Sequence, residues 1–158
     1  MTPDQLQKKQ EEGIRDVLKN ALIMRIGMAD NNSPYVVPVN FGYDEKHLYF
    51  HSKMKGKKLE IMEKNPFVCF ELDYGVELMP ADEACKWDTR FRSVVGYGTV
   101  KMLTDISEKT IGFDAIMKKY AGDRKFTYDE NHFEHAVVMC ITINEMKFKE
   151  SGNWSEKA

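Results

Sequence analysis

The residues best suited to chemistry form one short run, His51-Ser52-Lys53-Met54-Lys55-Gly56-Lys57-Lys58. An imidazole, a hydroxyl, a flexible glycine and four ammonium groups fall just ahead of a helical pattern made by Leu59, Ile61 and Met62. A dianionic phosphate needs short donors, backbone N–H groups at a helix start and positive charge, and this run supplies all three. The competing reading is a solvated helix face, the commoner use of clustered lysines.

Two strands must position that run. Residues 35–43 are apolar, β-branched and aromatic, interrupted by Pro38 and the polar Asn40, and residues 47–51 read as the return strand. Asp44-Glu45-Lys46 supplies a tight turn between them. A proline in a strand removes a ladder donor and leaves a gap or a carbonyl for a ligand. A strand with Val37, Pro38, Val39 and Asn40 in series therefore offers a flat apolar wall with a few polar atoms.

Other candidates carry weaker signals. His132 and His135 flank Glu134, but their spacing fits neither a helical zinc pair nor a closed site, so no metal is expected. Cys69 and Cys140 lie in apolar strands and read as core, whereas Cys85 lies in the polar loop Glu83-Ala84-Cys85-Lys86. Three widely spaced cysteines give no disulfide framework, and reduced thiols in a cytoplasm are the simplest reading.

The chain of 158 residues is expected to form a single domain (1–158), long enough to bury a core. A net charge of −2 argues against nucleic acid as a partner. No apolar run reaches the length of a membrane span, and the polar, mixed-charge N-terminus does not read as a signal peptide.

Read in order, residues 1–20 predict a helix opened by Thr2-Pro3-Asp4, with Gly13 as a break. Residues 21–29 predict a strand with Leu22, Met24, Ile26 and Met28 on one face, followed by a turn at residues 30–34. A short helix over 56–65 and a strand over 67–72 follow, and residues 73–84 read as a strand that leaves the sheet and becomes a loop. Residues 91–103 predict a long strand with a bend or close approach at Gly96 and Gly98. A helix begins near Asp105, residues 121–131 form a polar loop, residues 136–149 predict a last strand, and 151–158 is a tail. With no alternating βαβ period, the fold class is mainly β (α+β): an antiparallel barrel with flanking helices.

Three segments in series, PYVVPVNFGYD, LYFHSKMKGKKLEIMEKNPFVCFEL and FRSVVGYGTVKML, resemble the pyridoxamine-phosphate-oxidase-like flavoproteins, nearest to their nitroimidazole-reductase (nitroimidazole resistance) type. That resemblance implies a split β-barrel binding FMN at the interface of a homodimer. It places Val37, Pro38, Val39 and Asn40 along the isoalloxazine edge, and His51 and Ser52 beside the ribityl chain and phosphate. Lys57 and Lys58 match phosphate-binding positions, Arg92 and Ser93 match positions that approach from the partner subunit, and Trp87 and Trp154 fall near that region. His51 is the candidate catalytic residue for substrate or electron transfer.

The implied activity is an FMN-dependent oxidoreductase acting on small electron-poor substrates such as nitroaromatics. The alternatives are a non-catalytic flavin- or haem-binding store or sensor, and a structural dimer with a vestigial site. The short tail after Trp154 does not match the extended substrate segment of a true pyridoxamine phosphate oxidase, so that activity is not expected.

Overall fold

A computed structural model describes residues 1–154; the last four residues of the 151–158 tail lie outside the described residues. In chain order the elements are α1 (Pro3–Asn20), β1 (Met24–Asp30), β2 (Ser33–Val39), β3 (Gly42–Tyr43), β4 (His47–Lys53), α2 (Lys57–Lys64), β5 (Phe67–Met79), a single 3-10 turn (Ala84–Lys86), β6 (Asp88–Leu103), α3 (Ile106–Ala121), α4 (Glu130–His135) and β7 (Ala136–Ser151). No helix among the described residues is long and apolar enough to cross a membrane.

The seven strands form one antiparallel sheet in the order β2-β1-β5-β6-β7-β4-β3. Its two edge strands, β2 and β3, are consecutive in the chain, separated only by Asn40 and Phe41. Three peptide links span at most about 11 Å. The sheet must therefore curl until its edges nearly meet, yet no ladder joins them among the described residues. The result is a split barrel. Met24, Ile26, Leu48, Phe50, Phe70, Leu72 and Ile141 are fully buried inside it.

This topology corrects the expected hairpin. Residues 35–43 are not one strand. Asn40 interrupts them: β2 pairs with β1 through a turn at Asn31 and Asn32, whose φ of 47° and 62° suit the primed turns that match strand twist. Only Gly42 and Tyr43 return onto β4, and His51 pairs with Val138 of β7. The crossing is pinned by α3. The Phe41 N–H donates to the Tyr120 hydroxyl at 3.0 Å, which donates to the Leu22 carbonyl at 2.8 Å.

Three further expectations are revised. Gly13 does not break α1; the bare Cα lets the Phe148 ring seat against the helix, and the Gln10 side chain exchanges two hydrogen bonds with the Phe148 backbone. The predicted loop after residue 73 stays in the sheet to Met79, because a bulge between Tyr74 and Glu77, with Gly75 at φ 66°, restores pairing to β6. The polar loop ends in an unforeseen helix, α4, whose N-cap Asp129 accepts from the His132 N–H at 3.1 Å. Leu22 lies outside β1 and is exposed.

The remaining signals are met locally. Thr2 and Gln5 form a reciprocal cap, and the Asp105 carboxylate caps α3 by accepting from the N–H groups of Ser107 and Glu108. Gly96 gives the predicted close approach, since a Cβ there would overlap the Phe70 ring. α3 covers the outer side of the β4–β7 wall, where Tyr49, Leu103, Ile116, Val138 and Cys140 make a second buried cluster.

Candidate functional site

β4 alternates, and the alternation divides the candidate residues. Leu48, Phe50 and Ser52 face inward, and Ser52 is buried. His51 faces outward with Tyr49 and is solvent-accessible. The Ser52 hydroxyl and the His51 imidazole thus leave the strand end on opposite sides.

α2 begins four residues later. Its N-cap, Gly56, sits at φ 149° with open space around it, and no side chain caps the helix. The first backbone N–H groups of α2 therefore point outward without a side-chain acceptor. Among the described residues none of Lys53, Lys55, Lys57 and Lys58 makes an ion pair. The Lys57 ammonium lies 4.6 Å from the centre of the Tyr35 ring, which ties α2 to the inner face of β2. On that face Val37 and Val39 join the core, while Pro38 and Asn40 are exposed. Pro38 costs no inner ladder bond because β2 is an edge strand.

Burial lowers the His51 pKa, and the nearby Lys58 charge lowers it further. The imidazole is neutral at pH 7, with one nitrogen to donate and one to accept. Together these groups suit a phosphate monoester: free amide donors, unpaired ammoniums, and a histidine able to donate.

His51 also lines a cavity of about 410 Å³ on the outer face, between α3 and the segment leading to α4. Phe113, Phe126, Tyr128, Asn131 and His132 share its walls. Of these only His132 was weighed as a ligand in the sequence, for a metal with His135 and Glu134. The available signal was an aromatic series, Phe126, Tyr128 and Phe133, in an otherwise polar stretch. His132 is held in the α4 cap by Asp129 at 2.7 Å.

The other half of the expected site is elsewhere. Arg92 pairs with Glu150 across the ladder, donates to Asp16 at 2.7 Å and to Glu150 at 3.1 Å, and stacks on the Trp154 ring at 4.2 Å. Ser93 is its half-buried neighbour. Trp154 donates to the Ser151 carbonyl at 3.0 Å and packs against Tyr74, Gly75 and Arg90. Trp87 and Cys85 are exposed near the start of β6, Cys140 is buried, and Cys69 is half-buried on the outer sheet face. Within one chain, Arg92, Ser93 and Trp154 do not meet His51 and Lys57.

That outer sheet face carries an apolar row beside the Arg25–Glu71 ion pair. Val36, Gly27, Cys69 and Tyr97 form one row across β2, β1, β5 and β6. The Phe67 and Tyr97 rings stack at 5.8 Å, while Val36 is 63%, Phe67 52% and Val95 42% exposed.

Known proteins share this architecture. The family model described as pyridoxamine 5'-phosphate oxidase matches residues 10–150. A candidate 5-nitroimidazole antibiotic resistance protein from Bacteroides thetaiotaomicron is 29% identical, with a TM-score of 0.78 over 89% of this chain and 83% of that one. The flavocytochrome Anf3 from Azotobacter vinelandii is 20% identical, with a TM-score of 0.78 over 90% of this chain and 68% of that one. The FAD and heme binding protein from Mycobacterium smegmatis is 16% identical, with a TM-score of 0.80 over 93% of this chain and 74% of that one. At their identities the last two show a common fold and no more. No curated protein matches the chain. A family match over nearly the whole length, on a curled open sheet of this order, has one reading: the chain belongs to the pyridoxamine 5'-phosphate oxidase-like split-barrel family.

Proposed function

We propose that the protein is a flavin-dependent oxidoreductase that binds FMN between two copies of itself and reduces small electron-poor aromatics of the nitroimidazole kind. The observation that carries this is the uncapped start of α2, with Lys57 and Lys58 free of ion pairs beside His51, in a chain of this family. The residues fit the phosphate end of a flavin nucleotide. Backbone N–H groups at Lys57 and Lys58 would donate to its oxygens, and the ammoniums would balance its charge. The exposed edge at Pro38 and Asn40 would meet the ring system, whose own chemistry is to take up and release electrons.

A second copy is part of the proposal. The Val36, Phe67, Val95 and Tyr97 patch is a sheet face that covering would desolvate. Docking there would let a partner's Arg92 and Ser93 region approach the first chain's α2 cradle. His51, neutral and accessible, would sit at the margin as a donor to substrate or cofactor.

The test is anaerobic. Protein loaded with FMN is reduced with NADPH or dithionite and then mixed with a 5-nitroimidazole. Stoichiometric reoxidation with loss of the nitro absorbance supports the reading; a reduced flavin that persists in excess nitroimidazole refutes it.

A further inference from the structure

A second cavity lies at the other end of β4 from the lysine cradle. Its volume is about 380 Å³, and its walls are Lys19, Tyr43, Ala115, Lys118 and Lys119. Three segments build it: the last turn of α1, the short strand β3 and the end of α3. α3 seats closely there, because Gly42 has no Cβ to strike the backbone of Ala115 and Ile116. Tyr43 pairs with Leu48 at the start of β4, whereas Lys53 ends that strand, about 17 Å further along. The cavity and the cradle share no residue.

Its donors lack anionic partners. Lys119 is half-buried; its ammonium donates to the Lys19 carbonyl at 2.7 Å and lies 5.2 Å and 5.8 Å from the centres of the Phe41 and Tyr120 rings. Those contacts hold a cation without neutralising it, and burial pushes its pKa down. Lys19 and Lys118 are exposed and make no ion pair among the described residues. Tyr43 is half-buried, and its hydroxyl finds no hydrogen-bond partner among the described residues, so burial alone raises its pKa.

Lysines in a last helical turn ordinarily balance the negative end of the helix. The C-terminal ends of α1 and α3 together bring the equivalent of about one negative charge. Against it stand the three ammoniums of Lys19, Lys118 and Lys119, and no Asp or Glu lines the walls. About two positive charges are left over by that balance.

We propose that this cavity binds the phosphate monoester of a small organic molecule. Such a group carries about −1.5 to −2 charges at pH 7, which matches the excess. Lysines act as point charges and suit a tetrahedral anion, whereas a planar carboxylate is better matched by the fork of an arginine, and no arginine lines the walls. The volume is that of a small-molecule site, and Ala115 and the Tyr43 ring give the organic body an apolar wall. The site stands apart from the flavin reading above and does not depend on it.

Calorimetric titration in phosphate-free buffer tests it. The full chain carrying Lys57→Ala and Lys58→Ala has its cradle silenced, so the titration reads this cavity alone. Phenyl phosphate should bind at one per chain. Adding Lys19→Ala with Lys118→Ala should weaken it about tenfold or more, and adding Tyr43→Phe instead roughly threefold. Adding Lys8→Ala with Lys86→Ala, which removes as much charge from distant elements, should leave the affinity unchanged. Succinate should bind about tenfold more weakly than phenyl phosphate. Thermal melts establish that the variants are folded, and Tyr43→Phe, whose hydroxyl has no partner to lose, gives the second reading if the Lys19 and Lys118 substitutions unfold the chain. Absence of saturable binding overturns the proposal, as does an equal loss in both lysine pairs or succinate binding as tight as phenyl phosphate. None of these outcomes bears on the flavin reading, which is tested at the cradle.

Discussion

Arg92 and His51 are held about 35 Å of strand apart by the β6–β7 ladder. Arg92 pairs with Glu150, whereas Val138, the partner of His51, pairs with Leu103 eleven positions further along β6. Two groups expected at one cofactor therefore stand near opposite ends of the longest ladder in the chain. Under the proposed flavin reading each chain would supply two half-sites, and a second copy would complete them.

The outer face of the sheet should decide the oligomeric state. Tyr97→Lys with Val95→Lys puts charge into the exposed patch without touching the barrel interior. Light scattering should show twice the 18.4 kDa chain mass for the native protein and a monomer for the double variant. A native monomer would remove the reason for that patch.

Close approaches set the cost of added methyl groups. A Cβ at Gly42 would overlap the backbone of Ala115 and Ile116 in α3, whereas one at Gly13 would meet the Phe148 ring, a side chain that can shift. Urea unfolding should find Gly42→Ala destabilising by about 3 kcal/mol and Gly13→Ala by about 1 kcal/mol. The reverse order would mean that α3 is less firmly seated on β3 than the geometry implies.

His51 gives a pH dependence with a definite sign. An unfolded imidazole titrates near ~6.5, and in the fold burial and the Lys58 charge move His51 lower. The unfolded chain therefore binds the proton more readily. The contribution is fully present above ~6.5 and is lost as pH falls through the lower folded value. Lys58→Ala should raise the His51 titration midpoint seen by NMR but leave it depressed by burial. A phosphate bound in the cradle should raise it as well.

The Arg92 cluster predicts an acid response of its own. The hydrogen bond from Lys9, at 2.7 Å, holds the Glu150 carboxyl below its usual range, and Arg92 adds to this. Its stabilising effect is present above the ordinary carboxylate pKa and disappears as pH falls through the depressed one. Arg92→Ala leaves Asp16 and Glu150 facing one another and should cost about 1–2 kcal/mol at pH 7, less at pH 3. Equal losses at both pH values would contradict an electrostatic role.

Much of the fold was legible because its signals are local. Thr2, Asp105 and Asn65-Pro66 mark helix ends by capping and by proline sterics, and the inward series of β5 and β6 alternate visibly in the sequence. The crossing at Asn40 was not legible, since apolar residues continue on both sides and only the ladder partners reveal that the chain changes sheet edge. The helix start at Lys57 and Lys58 could be read from residue types. The carboxylates that occupy Arg92 could not, because Asp16 and Glu150 are brought there from α1 and β7. The cavity was hidden for a related reason. Phe113, Phe126 and Asn131 come from separate segments, and no periodicity in the sequence joins them to His51.

The central claim is that a flavin is held between two copies of this chain. Gel filtration of the purified protein with added FMN, followed by simultaneous light scattering and visible absorbance, tests it in one run. The account predicts a dimer that carries flavin absorbance at one flavin per chain and loses it in the Lys57→Ala, Lys58→Ala double variant. A monomer that elutes colourless, clear of the free FMN, would contradict it.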